Sequence, residues 1–559
     1  MIEAGFKREQ EMVTTTVVST IDVQSAHTLA LGTGDTLIVA QNAGIYWTDN
    51  SAITFLPDAD STHINIYGTV DLASVTLAHY STLLIGQTGS LTVSAKVIIG
   101  EGVSSSGSNA YLINQGSILG TSNSPGAIII ETRGGSNHLD NSGSISGIGI
   151  GIFLGSDDIG ADEVVNSGLI SVSETAVFMH GNSGSLANSG TLLGFIGVEV
   201  NGEQPSGSIA AMVVTNTGLI QGTYGILSSQ TSVGSTVIIS NSGTISGDWY
   251  AINAGAGTEF IVNSGTLLGD VVLGAGWDQL DSRGGTIVGD VNLGDGGDLI
   301  DLRNAEVFGT ITGGAGNDQY WVSDSNVLLL EAPDVGPVST DIVYAESAFR
   351  LADNIEVLHL LGAGSFNGFG NASANTITGN SGDNRLVGLA GNDTMSGALG
   401  NDRLNGGAHA DSLDGGDGDD TLIGNTFNDT LRGGDGDDLL NGGANKDLLT
   451  GGVGADIFVF SALSHSGNLT TTADIISDFV RGDDLIDLSA FDAKANNALP
   501  NDAFAFIGTA VFSSIAGQLR VAQSGGNTYV QMDANGDGLA DAMVRINGLL
   551  TLDVSDFIL

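Results

Sequence analysis

The chain has 559 residues, 41% of them hydrophobic, with 85 Gly against 6 Pro, a composition of turns and short strands rather than of collagen or a helical protein. Its 63 acidic and 15 basic residues give a formal charge of −48, which argues against nucleic acid and anionic membrane surfaces, since both need Lys/Arg patches. There is no cysteine, which excludes disulfides, thiolate chemistry and Cys-based zinc sites.

Residues 1–19 read as an N-terminal extension; they carry Lys7 and Arg8 but no apolar core or small-residue cleavage site of a secretory signal. No apolar run approaches the roughly 18 residues that a membrane helix requires. From residue 20, short runs such as DTLIVA and GSLTVSAKVIIG alternate with Gly, Asn and Ser, the pattern of strands and turns. A motif then recurs at Asn114, Asn141, Asn166, Asn188, Asn216, Asn241 and Asn263, with gaps of 27, 25, 22, 28, 25 and 22 residues. One motif per coil describes a right-handed parallel β-helix, with length differences absorbed in turns on one side. Stacked coils place the asparagines above one another, where their amides form a structural ladder and the apolar residues that follow them form the core.

Between residues 265 and 324 the period tightens to 20, and each coil carries one acidic turn, with Asp278, Asp298 and Asp318 in register. These turns are expected to bind Ca²⁺ at the end of a solenoid spanning 20–324, with Trp277 and Trp321 inside the motifs. Residues 325–369 lack the repeat and read as a connecting β segment.

Residues 370–459 divide without a gap into ten nine-residue units, from GNASANTIT to GGVGADIFV. The sixth place is Asn375 and Asn384 in the first two units and Asp in the other eight; the eighth is always apolar, from Ile377 to Phe458. A glycine-rich turn with one carboxylate, then one inward apolar residue, is half a coil of a parallel β-roll holding Ca²⁺ in its turns. Calcium is a hard ion that takes six to eight oxygens and accepts backbone carbonyls as readily as Asp.

Two units make one coil of eighteen residues, so alternate units line opposite sides. The units beginning Gly379, Gly397, Gly415, Gly433 and Gly451 all have glycine fourth: Gly382, Gly400, Gly418, Gly436 and Gly454. The other side has Ser373, Gly391, His409, Phe427 and Asn445 there. If that place needs φ > 0, Phe427 and His409 each cost about 1 kcal/mol or more. The expectation is a well-formed ion row through Asp402, Asp420, Asp438 and Asp456, and a weaker one through Asp393, Asp411, Asp429 and Asp447. His409 is a lone imidazole in a turn and is not expected to coordinate a metal. In residues 460–559, expected to form a compact β cap, the loop DANGDGLAD presents Asp533, Asn535, Asp537 and Asp541 as in an EF-hand, but Val544 stands where that loop needs a bidentate Glu. It is either an ion site or an ordinary Asp/Gly hairpin.

These units resemble the RTX (haemolysin-type calcium-binding repeat) family, whose nonapeptide is GGxGxDxUx with U a large apolar residue. GADIFVFSAL, ADIISDFVRGDDLIDLSAFDA, FAFIGTA, GQLRVAQSGGNTYVQMDANGDGLAD and DFIL are similar to the C-terminal domain of serralysin-type secreted proteins, so the resemblance spans roughly residues 313–559. It implies export by a type I secretion apparatus that reads an uncleaved C-terminal signal, a role that the apolar end Asp556, Phe557, Ile558, Leu559 suits. No H-E-x-x-H occurs, so the zinc metalloprotease reading is rejected.

The whole chain is expected to be all-β: β-helix, calcium-binding β-roll, then β cap. The functional expectation is an extracellular calcium-binding protein, folding on Ca²⁺ after export and structural or adhesive through its solenoid, with cell-surface association and a surface glycan or polysaccharide as partner. The alternative is a carbohydrate-active enzyme, a polysaccharide lyase or epimerase, with its active face on the solenoid. Its candidate groups are thin: Asp58, Asp60 and His63, or Asp157, Asp158, Asp162 and Glu163, each fitting a solvated turn, with no Lys or Arg between residues 134 and 282.

Overall fold

The computed structural model describes residues 14–559 except 18–20, 24–27, 32–35, 41–42, 48–51, 56–61, 78–79, 100–108, 125, 135, 157–160, 182, 203–210, 230–234, 334–338, 492 and 494–501. The fold is all-β; among the described residues there are two short 3₁₀ turns, Leu463–His465 and Val554–Asp556, and no helix long and apolar enough to cross a membrane. Two compact units divide at residues 315 and 316, inside the third of the 20-residue coils.

The first unit is a parallel β-solenoid. Strand Thr14–Val17, within the stretch read as an extension, already pairs in parallel with Thr36–Val39. Further along, each coil's strand sits one coil length from its neighbour: Asn114 pairs with Asn141, Asn141 with Asn166, and so on to Asn241 with Asn263. Alternation fixes the inward face. Leu112, Leu139, Val164, Leu186, Val214, Ile239 and Ile261 are buried one above another, two residues before each asparagine.

The asparagines form the expected ladder. Each side-chain amide donates to the next Oδ1, at 2.6 Å from Asn114 to Asn141 and at 2.7–2.8 Å for every later step to Asn263, which donates to Ser282 Oγ at 3.0 Å. Asn114, Asn166 and Asn216 are fully buried, so each rung depends on its neighbours for hydrogen bonds that water cannot replace.

In the second unit the eighteen-residue register is exact in the roll. Leu386 pairs with Leu404, Leu404 with Leu422 and Leu422 with Leu440, while Met395, Leu413, Leu431 and Leu449 stack in the facing sheet. These eighth-place residues are buried and make the core, one side chain per unit. Residues 325–369 are more than a connector: Ile342–Ala345 pairs with Gln319–Val322 and with Val357–Leu360, which pairs with Thr376–Thr378. Buried Val343, Ala345, Leu358 and Leu360, with Trp321, Tyr344 and His359 stacked at 4.3 and 5.3 Å, replace the missing repeat. The cap is a three-stranded antiparallel meander, Gln518–Ser524, Asn527–Asp533 and Ala542–Asn547, whose last strand pairs in parallel with Asp474–Ile476. Of FAFIGTAVF only Ala505–Phe506 is a strand, and Phe557–Ile558 pairs with Leu485–Asp487.

Replacing Asn188 by Ala removes the Oδ1 that accepts from the Asn166 amide and the amide that donates to Asn216 Oδ1, leaving a buried donor and a buried acceptor without their partners, a loss of about 2 kcal/mol. Urea unfolding of Asn188→Ala should show it as an earlier transition, and a midpoint equal to wild type would contradict the ladder's role.

Candidate metal centre

The sixth-place carboxylates form two columns. On the all-glycine side the amide of Asn384 donates to Asp402 Oδ1 at 2.6 Å, Asp402 to Asp420 at 2.7 Å, Asp420 to Asp438 at 2.8 Å and Asp438 to Asp456 at 3.0 Å. On the other side the steps from Asn375 through Asp393, Asp411 and Asp429 to Asp447 measure 2.8–2.9 Å. One oxygen of each carboxylate therefore stitches coil to coil.

The second oxygen has no such task. Oδ2 of Asp393, Asp402, Asp411, Asp420, Asp429, Asp438 and Asp447 is buried without a hydrogen-bond partner. It faces the first glycine of its own unit: a Cβ on Gly397, Gly415, Gly433 or Gly451 would stand 2.1–2.2 Å from the Asp oxygen. The first place is glycine because any side chain would fill the space beside the carboxylate. Burial, the largest cause, pushes these acids up from 3.8, to about 6 for Asp411, Asp420 and Asp456, about 7 for Asp393, Asp402, Asp438 and Asp447, and about 8 for Asp429. An unpaired buried carboxylate oxygen beside an open glycine cradle fits a hard cation that takes carboxylate and carbonyl oxygens.

The two sides differ. From the third unit on the fourth place has φ > 0 on both sides; Gly400, Gly418, Gly436 and Gly454 lie at 108–147° and Gly391 opposite them at 115°, whereas the non-glycine residues His409, Phe427 and Asn445 lie at 79–88°. The second place is also left-handed, at Leu389, Ala398 and Asn425 among others, which the sequence reading did not anticipate. Only the all-glycine side has a second outer column without a break: Asn401 donates to Asp383, Asp419 to Asn401, Asp437 to Asp419 and Ala455 to Asp437, at 2.8–3.1 Å. His409 is held structurally, its Nδ1 accepting the Gly391 amide at 3.1 Å and its ring 5.2 Å from that of Phe427.

Both columns run past the repeats. Asp447 donates to Asp474 Oδ1 at 2.8 Å and Asp456 to Asp484 Oδ1 at 3.0 Å. Asp474 and Asp484 were missed, although each is followed two residues later by a buried Ile, as in the repeats. Asp318 is buried, donates its amide to Asp341 Oδ1 at 2.7 Å, and with Glu331 and Asp341 brings one carboxylate oxygen each within 4.8 Å of the others. In the first unit Asp278 Oδ1 accepts the Glu259 amide and Asp298 Oδ1 that of Asp278, both at 2.8 Å, so these turns share the ladder geometry. Asp533, Asn535 and Asp537 lie in the hairpin after Asn527–Asp533, where Asp533 accepts the Gly536 and Gly538 amides at 2.7 and 3.0 Å and Asp541 those of Ala534 and Asn535.

Of the thin catalytic candidates, Asp58, Asp60, Asp157 and Asp158 lie outside the described residues. Asp162 is buried on Thr132 Oγ1 and the Asn137 amide, Glu163 pairs with His138 at 3.0 Å, and His63 is exposed on its strand. Among the described residues, Glu131 has its carboxylate held by both Lys96 and Arg133.

Gly418→Ala would place a Cβ 2.2 Å from the Gly400 carbonyl oxygen, so the calcium needed for half-folding should rise at least tenfold, whereas Phe427→Gly relieves a left-handed residue and should leave it unchanged or lower it. Equal responses of the two variants, or equal ion occupancy of the two sides in a calcium-bound structure, would contradict the inequality.

Residues 371–559 match the family described as peptidase M10 serralysin C terminal, and residues 310–326 match the RTX calcium-binding nonapeptide repeat (4 copies). No curated protein matches the chain. Among solved structures, the solution structure of the AlgE6R3 subunit from the Azotobacter vinelandii mannuronan C5-epimerase is similar at 23% identity over 33% of this chain and 78% of that one, with a TM-score of 0.17. With the carboxylate columns and glycine cradles in place, the chain is a secreted calcium-binding protein that carries RTX repeats and a serralysin-type C-terminal domain.

Proposed function

We propose that the chain leaves the cell unfolded through a type I secretion apparatus, folds when calcium fills its turns outside, and then acts structurally or as an adhesin through its β-solenoid. The observation that carries the folding step is the set of buried Oδ2 atoms without partners, from Asp393 to Asp447. Without a cation each must keep a proton or bear a buried, unpaired charge. Extracellular calcium modules bind with dissociation constants of about 10⁻⁴ to 10⁻³ M, above cytosolic calcium, so linkage keeps the roll open inside and closes it outside.

The solenoid supports the structural and adhesive part. Its inward apolar residues stack from coil to coil, its asparagines hydrogen-bond each to the next from Asn114 to Asn263, and the described carboxylates of the catalytic candidates are hydrogen-bonded or ion-paired within the fold. Incubation with alginate and pectin is expected to give no products; turnover of either would replace this reading with an enzymatic one.

The pH dependence has a definite sign. The roll carboxyls rise from 3.8 to between about 6 and about 8, so the calcium-free folded roll binds more protons than the unfolded chain. Its stability is greatest below the ordinary carboxyl range and is lost as pH rises through about 6 to 8. Circular dichroism in EDTA should therefore show strand content falling over that window, while millimolar calcium keeps it flat. A calcium-independent profile would refute the coupling.

A further inference from the structure

The solenoid carries an aromatic strip that neither the calcium chemistry nor the export route uses. At one corner, successive coils read GFIG at Gly194, GTYG at Gly222 and GDWYA at Gly247. The register there slips: Gly222 pairs with Gly247 and Tyr224 with Tyr250, leaving one residue in the bulge of one coil and two in that of the next. Thr223 and Tyr224 both donate their amides to the Phe195 carbonyl, at 2.8 and 3.2 Å, which seats one coil on the other. A Cβ on Gly247 would stand 1.7 Å from the Tyr250 oxygen, so the glycine is what lets the corner turn outward.

The result is four aromatic rings across three coils. Phe195 meets Tyr224 edge-on at 6.0 Å; Tyr224 meets Trp249 edge-on at 5.8 Å and stacks on Tyr250 at 5.6 Å. Phe195 is 50% exposed and Trp249 60%, so large apolar surface faces water where a core would hide it. The charges that the strands bring to the rings are carboxylates: Asp248 in the bulge and Asp270, directly paired to Tyr250. No Lys or Arg occurs between residues 134 and 282.

We propose that this strip, Phe195, Tyr224, Trp249 and Tyr250, binds a neutral polysaccharide. Aromatic faces offer apolar area to the C–H faces of sugar rings, and a row across consecutive coils suits a linear polymer. Carboxylates beside the rings accept hydrogen bonds from hydroxyl groups and have no donor to offer an anion. The net charge of −48 and the absence of cations set polyanions such as uronate polymers against the surface. This inference rests on the adhesive reading of the solenoid and narrows it.

The test is affinity electrophoresis of the full chain, folded in calcium, through native gels containing xyloglucan, galactomannan or mixed-linkage β-glucan, with alginate and polygalacturonate as anionic probes. Retardation by at least one neutral polymer is expected, with affinity at least tenfold weaker in Trp249→Ala and Phe195→Ala. Both side chains are exposed, so circular dichroism should show the fold intact, and Phe308→Ala, exposed elsewhere on the same unit, should bind as wild type. No retardation by any neutral polymer, undiminished binding by Trp249→Ala, or retardation by alginate alone would overturn the proposal. If Trp249→Ala still adheres to cell surfaces as wild type does, the adhesive reading stands and the strip is not its site.

Discussion

The roll depends on one constraint: from Asp393 to Asp447 a carboxylate is buried every nine residues, and only one of its two oxygens has a protein partner. The paired oxygen takes the amide of the coil before it, so the column of aspartates belongs to the scaffold. The other oxygen faces a glycine and waits for charge compensation. Stacking coils thus aligns the charges that oppose stacking. A bound divalent cation resolves the conflict, and the affinity of the protein for that cation becomes part of its folding free energy.

From Asn114 to Asn263 the first unit solves the same stacking problem with a neutral side chain. Its asparagines carry donor and acceptor on one side chain, so each rung satisfies the next and the column closes without an ion. At the end of this unit the two devices stand side by side: the asparagine column ends where Asn263 donates to Ser282, and four residues earlier in the coil Asp278 and Asp298 accept the backbone amides of Glu259 and Asp278. Here an acid appears before the full glycine turn does.

Much of this was legible because the period is written into residue type. Nine-residue spacing of Asp and of the apolar eighth place fixed the roll's register, and the Asn motif fixed the ladder. Other features were not legible, for physical reasons. Residues 325–369 form coils through generic alternation and ring stacking at Tyr344 and His359, which leave no repeat to find. Asp474 and Asp484 extend the columns through insertions that break the spacing but keep the acid two residues before an inward Ile. Left-handed Leu389 and Ala398 were hidden because nothing in their side chains marks the backbone conformation that stacking imposes. The aromatic strip was not legible because Phe195 follows its glycine by one residue and Tyr224 and Trp249 follow theirs by two, and the rings meet across coils whose register slips at a bulge.

Amide hydrogen exchange across residues 384–456 at neutral pH, with calcium and with EDTA, tests the central claim most directly. The account predicts strong protection of the Asp402, Asp420 and Asp438 amides in calcium and its loss in EDTA, with the Asn-ladder strands of the first unit protected in both. Equal protection of the roll amides in EDTA would contradict it.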